Sequence, residues 1–230
     1  MFASVRPLSV TLSDVCFCHW PVSPSAVDAV LPDWLTPDTE DSSAWVSALA
    51  LTMDRFDAFG LPVREGIEGL NLRTYVQTRD STRGVYFLSL DITDQLAAET
   101  ASTLFRLPYH YARIRRLRQD GRTEITARRR DGSGARLTVT VEPSGEPTTT
   151  APDTLASFLI ERDRYFTTGP LGTRLVGSVG HEPWPVQPAS ATVTENTLCS
   201  AASVPSTEGE PLVHYSPGIE MGVGPLEPLS

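Results

Sequence analysis

The chain has 230 residues, 40% of them hydrophobic, enough for a sizeable core in one large β-rich domain or two fused halves. All 19 basic residues are arginine, lysine is absent, and 28 carboxylates bring the net charge to -9. This balance disfavours a protein that coats nucleic acid, and the lack of an apolar run of about 18 residues excludes a membrane-spanning helix. Acidic excess without lysine points to a salt-loving or high-GC source.

The first ten residues, MFASVRPLSV, lack the apolar core of a signal peptide and lead straight into strand-like sequence. With three cysteines, an odd number, the chain fits a reducing compartment rather than a disulfide framework, and a cytoplasmic location is expected. Thr11 to Trp20 reads as a strand. Ser23 and Pro24 then open a short helix with Ala26, Val27, Val30 and Leu31 apolar. Ala44 to Leu51 is a buried strand. Residues 57–68, with Gly60, Pro62 and Gly66, read as a long irregular loop with the position of a lid.

Gly69 to Asp91 reads as a strand, a charged turn and a second strand. Leu70, Leu72, Thr74 and Val76 alternate with Asn71, Arg73, Tyr75 and Gln77, while Val85 to Leu90 is apolar on both faces apart from Ser89. A polar row beside so buried a partner suits a cavity wall. A helix over 93–105 capped by Thr93 follows, and then a three-stranded meander: 109–118, 122–130 and 135–142, turning at Asp120-Gly121 and Asp131-Gly132. In its last strand Ala135, Leu137, Val139 and Val141 point inward. After a linker at 143–152, Asp153 caps a helix ending near Glu161. Strands at 164–166, 174–180 and 189–194 come next, with a helix at 195–203, a loop at 206–210, and a segment from Leu212 to Met221 before a Gly/Pro-rich tail. The sum is an α+β fold in a single domain over 1–230, with a mainly antiparallel sheet and a few packed helices.

Several stretches carry a resemblance: FCHWPV at 17–22, LNLRTYV at 70–76, GVYFLSLD at 84–91 and LPYHYA at 107–112. TLASFLIER at 154–162, HEPWP at 181–185 and HYSPG at 214–218 continue it in order to near the end of the chain. Together they resemble the YqjF-like family of uncharacterised proteins, a domain of unknown function similar in fold to acetoacetate decarboxylase. The resemblance implies a curved, cone-like sheet around a polar cavity, and it implies no activity. The decarboxylase works through a Schiff base on a lysine whose pKa a neighbouring cation lowers. With no lysine here, that chemistry has no side chain to run on. The family often carries an acid just before LNxRTYV, where this chain has Gly69 and places Glu68 one residue earlier. Such a slip turns the carboxylate to the other face of the strand.

Arg73 is the foremost site candidate, because a guanidinium on a buried strand face must be paired and its fork suits a carboxylate. An internal acid such as Glu161 or Asp91 is the structural alternative to a ligand. Asn71, Tyr75 and Tyr109 would share the cavity wall, though aromatics at strand spacing also serve as plain core. Glu161, His181 and His214 are the candidates for proton transfer; both histidines also read as hydrogen-bonding staples beside proline turns. Cys16, Cys18 and His19 lack the spacing of a zinc site and place the histidine on the opposite face from the thiols, so no metal or other cofactor is expected. No nucleophile elbow, P-loop or dinucleotide fingerprint occurs.

Nine arginines fall between Arg113 and Arg136 against three acids, whereas 25 acids face 10 arginines elsewhere. The functional expectation is therefore a cavity binding a small anionic or keto-acid ligand. The alternatives are a lysine-independent lyase or hydrolase on such an acid, and an interaction protein that uses the basic 113–136 meander. Nucleic acid is disfavoured as a partner, and a homo-oligomer is compatible with the sequence.

Overall fold

Long strands that are apolar on both faces need cover on both sides, and here a sheet closing on itself twice supplies it. The computed structural model describes residues 7–205, 207 and 209–229, so the loop expected at 206–210 lies partly outside the described residues. Its strands are β1 (Leu8–Val22), β2 (Thr36–Pro37), β3 (Ala44–Ala58), β4 (Leu61–Gln77), β5 (Arg83–Ile92) and β6 (Tyr109–Gln119). β7 (Arg122–Arg129), β8 (Arg136–Pro143), β9 (Arg164–Thr168), β10 (Arg174–His181), β11 (Gln187–Asn196) and β12 (Leu212–Pro228) complete a 12-stranded sheet. All pairings are antiparallel except β5 with β6 and β5 with β9.

The strands β12, β1, β3, β4 and β5 form a shared wall, paired in that order. At its two margins the sheet forks. The start of β5 pairs with β9 through Val85 and Tyr86, while its end pairs with β6 through Leu90, Asp91 and Ile92. Likewise β12 begins on β11 and ends on β10. The β9–β10 arm closes a first ring, and the β6-β7-β8-β11 arm closes a second. Strand alternation then sorts side chains between two cores. Phe17, Leu49, Tyr75 and Leu159 fill the first, and Cys16, Cys18, Ala48, Leu72, Ile125 and Val139 the second. Each fully buried Leu, Ile or Phe among them contributes about 1.5–3 kcal/mol.

Ser23 caps α1 (Pro24–Asp28) through the Ala26 amide, as the Ser-Pro pair predicts. For α2 (Gln95–Phe105) the cap is Asp94, bonded to the Ala97 amide at 2.9 Å, rather than Thr93. The Thr93 hydroxyl accepts from the Glu68 amide and so is pinned to β4. Thr154, not Asp153, caps α3 (Leu155–Ile160), because Asp153 sits in the left-handed region at φ 57°. The last helix, α4 (Leu198–Ala201), is shorter than expected, since Glu195 and Asn196 remain in β11.

Two further expectations are corrected. Residues 57–68 form no lid: β3 and β4 run on as a hairpin turning at Phe59-Gly60, with φ of 52° and 79°. Leu61 to Glu68 precedes the first β4–β5 pair at Gly69, so this stretch is an edge that tolerates Pro62. The Gly/Pro-rich tail is strand through Pro228. There Gly224 leaves room for Ser178 of β10, where a Cβ would overlap its hydroxyl.

Candidate functional site

The inward face of β4 carries Gly69, Asn71, Arg73 and Tyr75 in succession, and the structure divides these residues between two neighbouring places. Gly69 and Asn71 line a cavity of about 290 Å³ at the mouth of the first ring, together with Tyr109 and Tyr165. Most of the remaining wall is apolar, including Leu12, Leu51, Phe87 and, from α2, Ala97, Ala101 and Leu104; Thr100 and Arg64, the latter paired with Asp94 at 3.1 Å, complete it. Burial raises the Tyr165 phenol to about 12 and, with Tyr165 beside it, also raises that of Tyr109. Both therefore stay neutral hydroxyls near pH 7. The Tyr165 hydroxyl has no hydrogen-bond partner among the described residues. The cavity is thus mainly apolar, with a few polar groups and one paired arginine, Arg64, rather than the broadly polar space expected.

Arg73 and Tyr75 lie further along the same face and do not line this cavity. Arg73 is 8% exposed; its Nη2 donates to the Leu159 carbonyl at 2.9 Å and its Nε has no partner among the described residues. The acids considered for it are engaged elsewhere. Asp91 forms a two-bond pair with Arg129 at 2.6 and 2.9 Å, and Glu161 accepts from the Trp184 amide and the Thr150 hydroxyl. Asp38, also buried, holds Arg162 at 3.0 Å. No ion pair involves Arg73 among the described residues, so its charge is buried without a counter-ion.

Tyr75 donates to the same Leu159 carbonyl at 2.7 Å and meets the Ser47 hydroxyl at 2.7 Å, which in turn meets His19 Nδ1 at 2.6 Å. The arrangement in which every proton finds an acceptor runs from His19 Nδ1–H to Ser47, to Tyr75, to the carbonyl. Burial, then the fields of His214 and Arg73, hold the His19 imidazole well below its ordinary range, so it is neutral at pH 7. His214 packs edge-on at 5.4 Å between ring centroids, and its Nδ1 and His19 Nε2 both lack partners among the described residues. Burial lowers His214 too.

His214 therefore joins this buried group, whereas His181 and Glu161 hold backbone. His181 bonds the Glu182 carbonyl at 2.8 Å and packs against Trp184. Before the LNLRTYV run, Gly69 lines the cavity, while Glu68 binds Arg116 at 3.1 Å. Cys16 and Cys18 lie in the second core and His19 points into the first ring. Sequence reasoning missed Ser47 and Tyr165. A lone serine in phase with Trp45 and Leu49 within an apolar strand was the available signal for Ser47; Tyr165 had none.

This topology is that of the acetoacetate decarboxylase-like fold. An acetoacetate decarboxylase-like enzyme from Sphingomonas wittichii RW1 aligns over 97% of this chain and 94% of its own, with a TM-score of 0.65 and 15% identity. The enduracididine biosynthesis enzyme MppR, solved with pyruvate, aligns over 100% and 92%, with a TM-score of 0.65 and 12% identity. Within that fold, the chain belongs to the DUF2071 family, described as an uncharacterized conserved protein, which it matches over residues 9–220. It is 34% identical to the uncharacterized protein YqjF of Bacillus subtilis (strain 168), over 96% of this chain and 91% of that one.

Proposed function

We propose that this protein binds a small ligand with an apolar body and a carboxylate or keto-acid end inside the first ring. The observation that carries the reading is Arg73, a buried guanidinium with no acid partner, one strand step beyond Asn71 on the cavity wall. A buried cation left uncompensated costs several kcal/mol, and a ligand carboxylate would supply both the missing charge and acceptors for the free N–H groups. Asn71, Tyr109 and Tyr165 offer uncharged polar contacts to the remainder, and the apolar wall takes its hydrocarbon. That MppR was solved with pyruvate supports a keto acid as the first ligand to try.

The second reading is catalysis without lysine, and the His19–Ser47–Tyr75 chain favours it. That chain connects a neutral imidazole to a phenol beside Arg73, as proton transfer to a bound keto or carboxylic acid requires. A thermal-shift screen of small carboxylates and ketones, pyruvate included, tests both readings. A hit that raises the melting temperature and is lost in Arg73→Met supports the site; a hit that Arg73→Met leaves intact sinks it. Turnover of the hit, abolished in Tyr75→Phe while binding persists, selects the enzyme.

A further inference from the structure

The arginines of the meander fall into two sets that their spacing in the sequence does not reveal. Arg116 binds Glu68, Arg118 binds Asp14, Arg122 binds Glu142, Arg129 binds Asp91 and Arg136 binds Glu195. Arg113, Arg115, Arg128 and Arg130 have no ion pair and no side-chain hydrogen bond among the described residues, and all four are exposed. These four converge. With Arg136 they surround a hollow of about 300 Å³ on the outer face of β6, β7 and β8, and Glu195 is the one acid among the described residues that line it.

The register makes this arrangement unfavourable by itself. Arg113 lies directly opposite Arg128, and Arg128 directly opposite Arg136, so like charges face one another across both strand pairs. Cross-strand pairs of like charge destabilise a sheet. The inner face of the same strands packs Ile114, Ile125, Ala127, Leu137 and Val139 into the second core, so the fold is held from the other side and not by the four unpaired arginines. The rest of the chain has 25 acids against 10 arginines. That excess of carboxylate outside the meander disfavours a long polyanion relative to a compact one.

We propose that this hollow is a binding site for a compact, multiply charged phosphate anion, separate from the first-ring site. Guanidinium forks from three adjacent strands would each pair two phosphate oxygens, and the bound charge would relieve the repulsion between Arg113, Arg128 and Arg136. The same chemistry could come from an inorganic polyphosphate or from the phosphate chain of a nucleotide.

Calorimetric titration of the full chain with inorganic tripolyphosphate, and in parallel with a nucleoside triphosphate, tests the proposal. The expected result is 1:1 binding that weakens about tenfold in Arg113→Gln and again in Arg128→Gln. Arg122→Gln, exposed on the same sheet but paired with Glu142, should leave it unchanged. Equal affinity for both probes identifies the phosphate chain as the recognised group, and tighter triphosphate binding adds a base or sugar contact. Without ligand, Arg128→Gln should melt at or above the wild-type temperature, because it removes like-charge pairs. The proposal is overturned by absence of binding, by an equal loss in Arg122→Gln, or by a lower melting temperature for free Arg128→Gln. Tighter binding of a 20-mer oligonucleotide, with several protein copies per strand, would also overturn it in favour of a nucleic-acid face.

Discussion

Arg73 and Arg129 illustrate how much a partner changes the meaning of a buried charge. Arg129 and Asp91 are both nearly inaccessible and satisfy each other through two bonds. Removing one leaves the other charged and unpaired, so Arg129→Met should lose about 3–5 kcal/mol in urea unfolding. The double change Asp91→Leu with Arg129→Met should recover most of that loss, since the penalty lies in the orphaned charge rather than in the missing bond. Arg73 has one carbonyl contact, which Tyr75 shares. Arg73→Met should therefore melt no lower than wild type in the absence of ligand. A drop comparable with that of Arg129→Met would show that Arg73 serves the fold. The sequence marked Arg73 as buried because its strand alternates, but which acids would be taken by other residues depended on contacts across the rings.

At the scale of elements, glycine decides how closely the arms approach the wall. Gly177 of β10 stands opposite Tyr165 of β9, and a Cβ there would overlap the Tyr165 ring. Gly177→Ala should cost about 1–3 kcal/mol by overpacking. Because Tyr165 lines the cavity, the same change should weaken the thermal response to any first-ring ligand, as the melting curves with and without ligand would record. Strand identity was legible wherever alternation or turn residues spoke clearly, as at Asp120-Gly121, where φ is 50° and 78°. It was not legible from 57 to 68 or after 221, where glycine and proline read as breakers. Edge pairing and close approach of β10 tolerate them there, and neither is a local property of the sequence.

For the whole molecule, three histidines give a common pH signature. Burial is the first cause of a lowered pKa at His19, His110 and His214. Each binds its proton more readily unfolded, where its pKa is near 6.5, so stability is full above that value and falls as pH drops through the window down to the folded pKa. Urea unfolding between pH 7 and pH 5 should show this decline. His19→Asn should flatten it by up to about 1.4 kcal/mol per pH unit, and an unchanged slope would show that His19 takes up its proton as readily folded as unfolded. The absence of lysine makes a second whole-chain prediction: borohydride reduction in the presence of a ketone should leave no adduct on any side-chain amine, as peptide mass spectra would show. Among the described residues no helix is long and apolar enough to cross a membrane, which says nothing of a β-barrel.

What the sequence by itself determined is local or compositional. The excess of acid, the exclusion of an imine on lysine, the strand periods, the meander turns and the polar row on β4 all follow from residue identity and spacing. The tertiary structure alone decided how β9 and β10 close one ring and β11 the other, because those pairings join residues far apart in the chain and leave no short-range pattern. That closure turned both faces of the shared wall inward. It put Ser47 between His19 and Tyr75, gave Asp91 to Arg129 rather than Arg73, and left Arg113, Arg115, Arg128 and Arg130 together on one outer face. A side chain's face is set by the strand period, but its partner is set by the other strand.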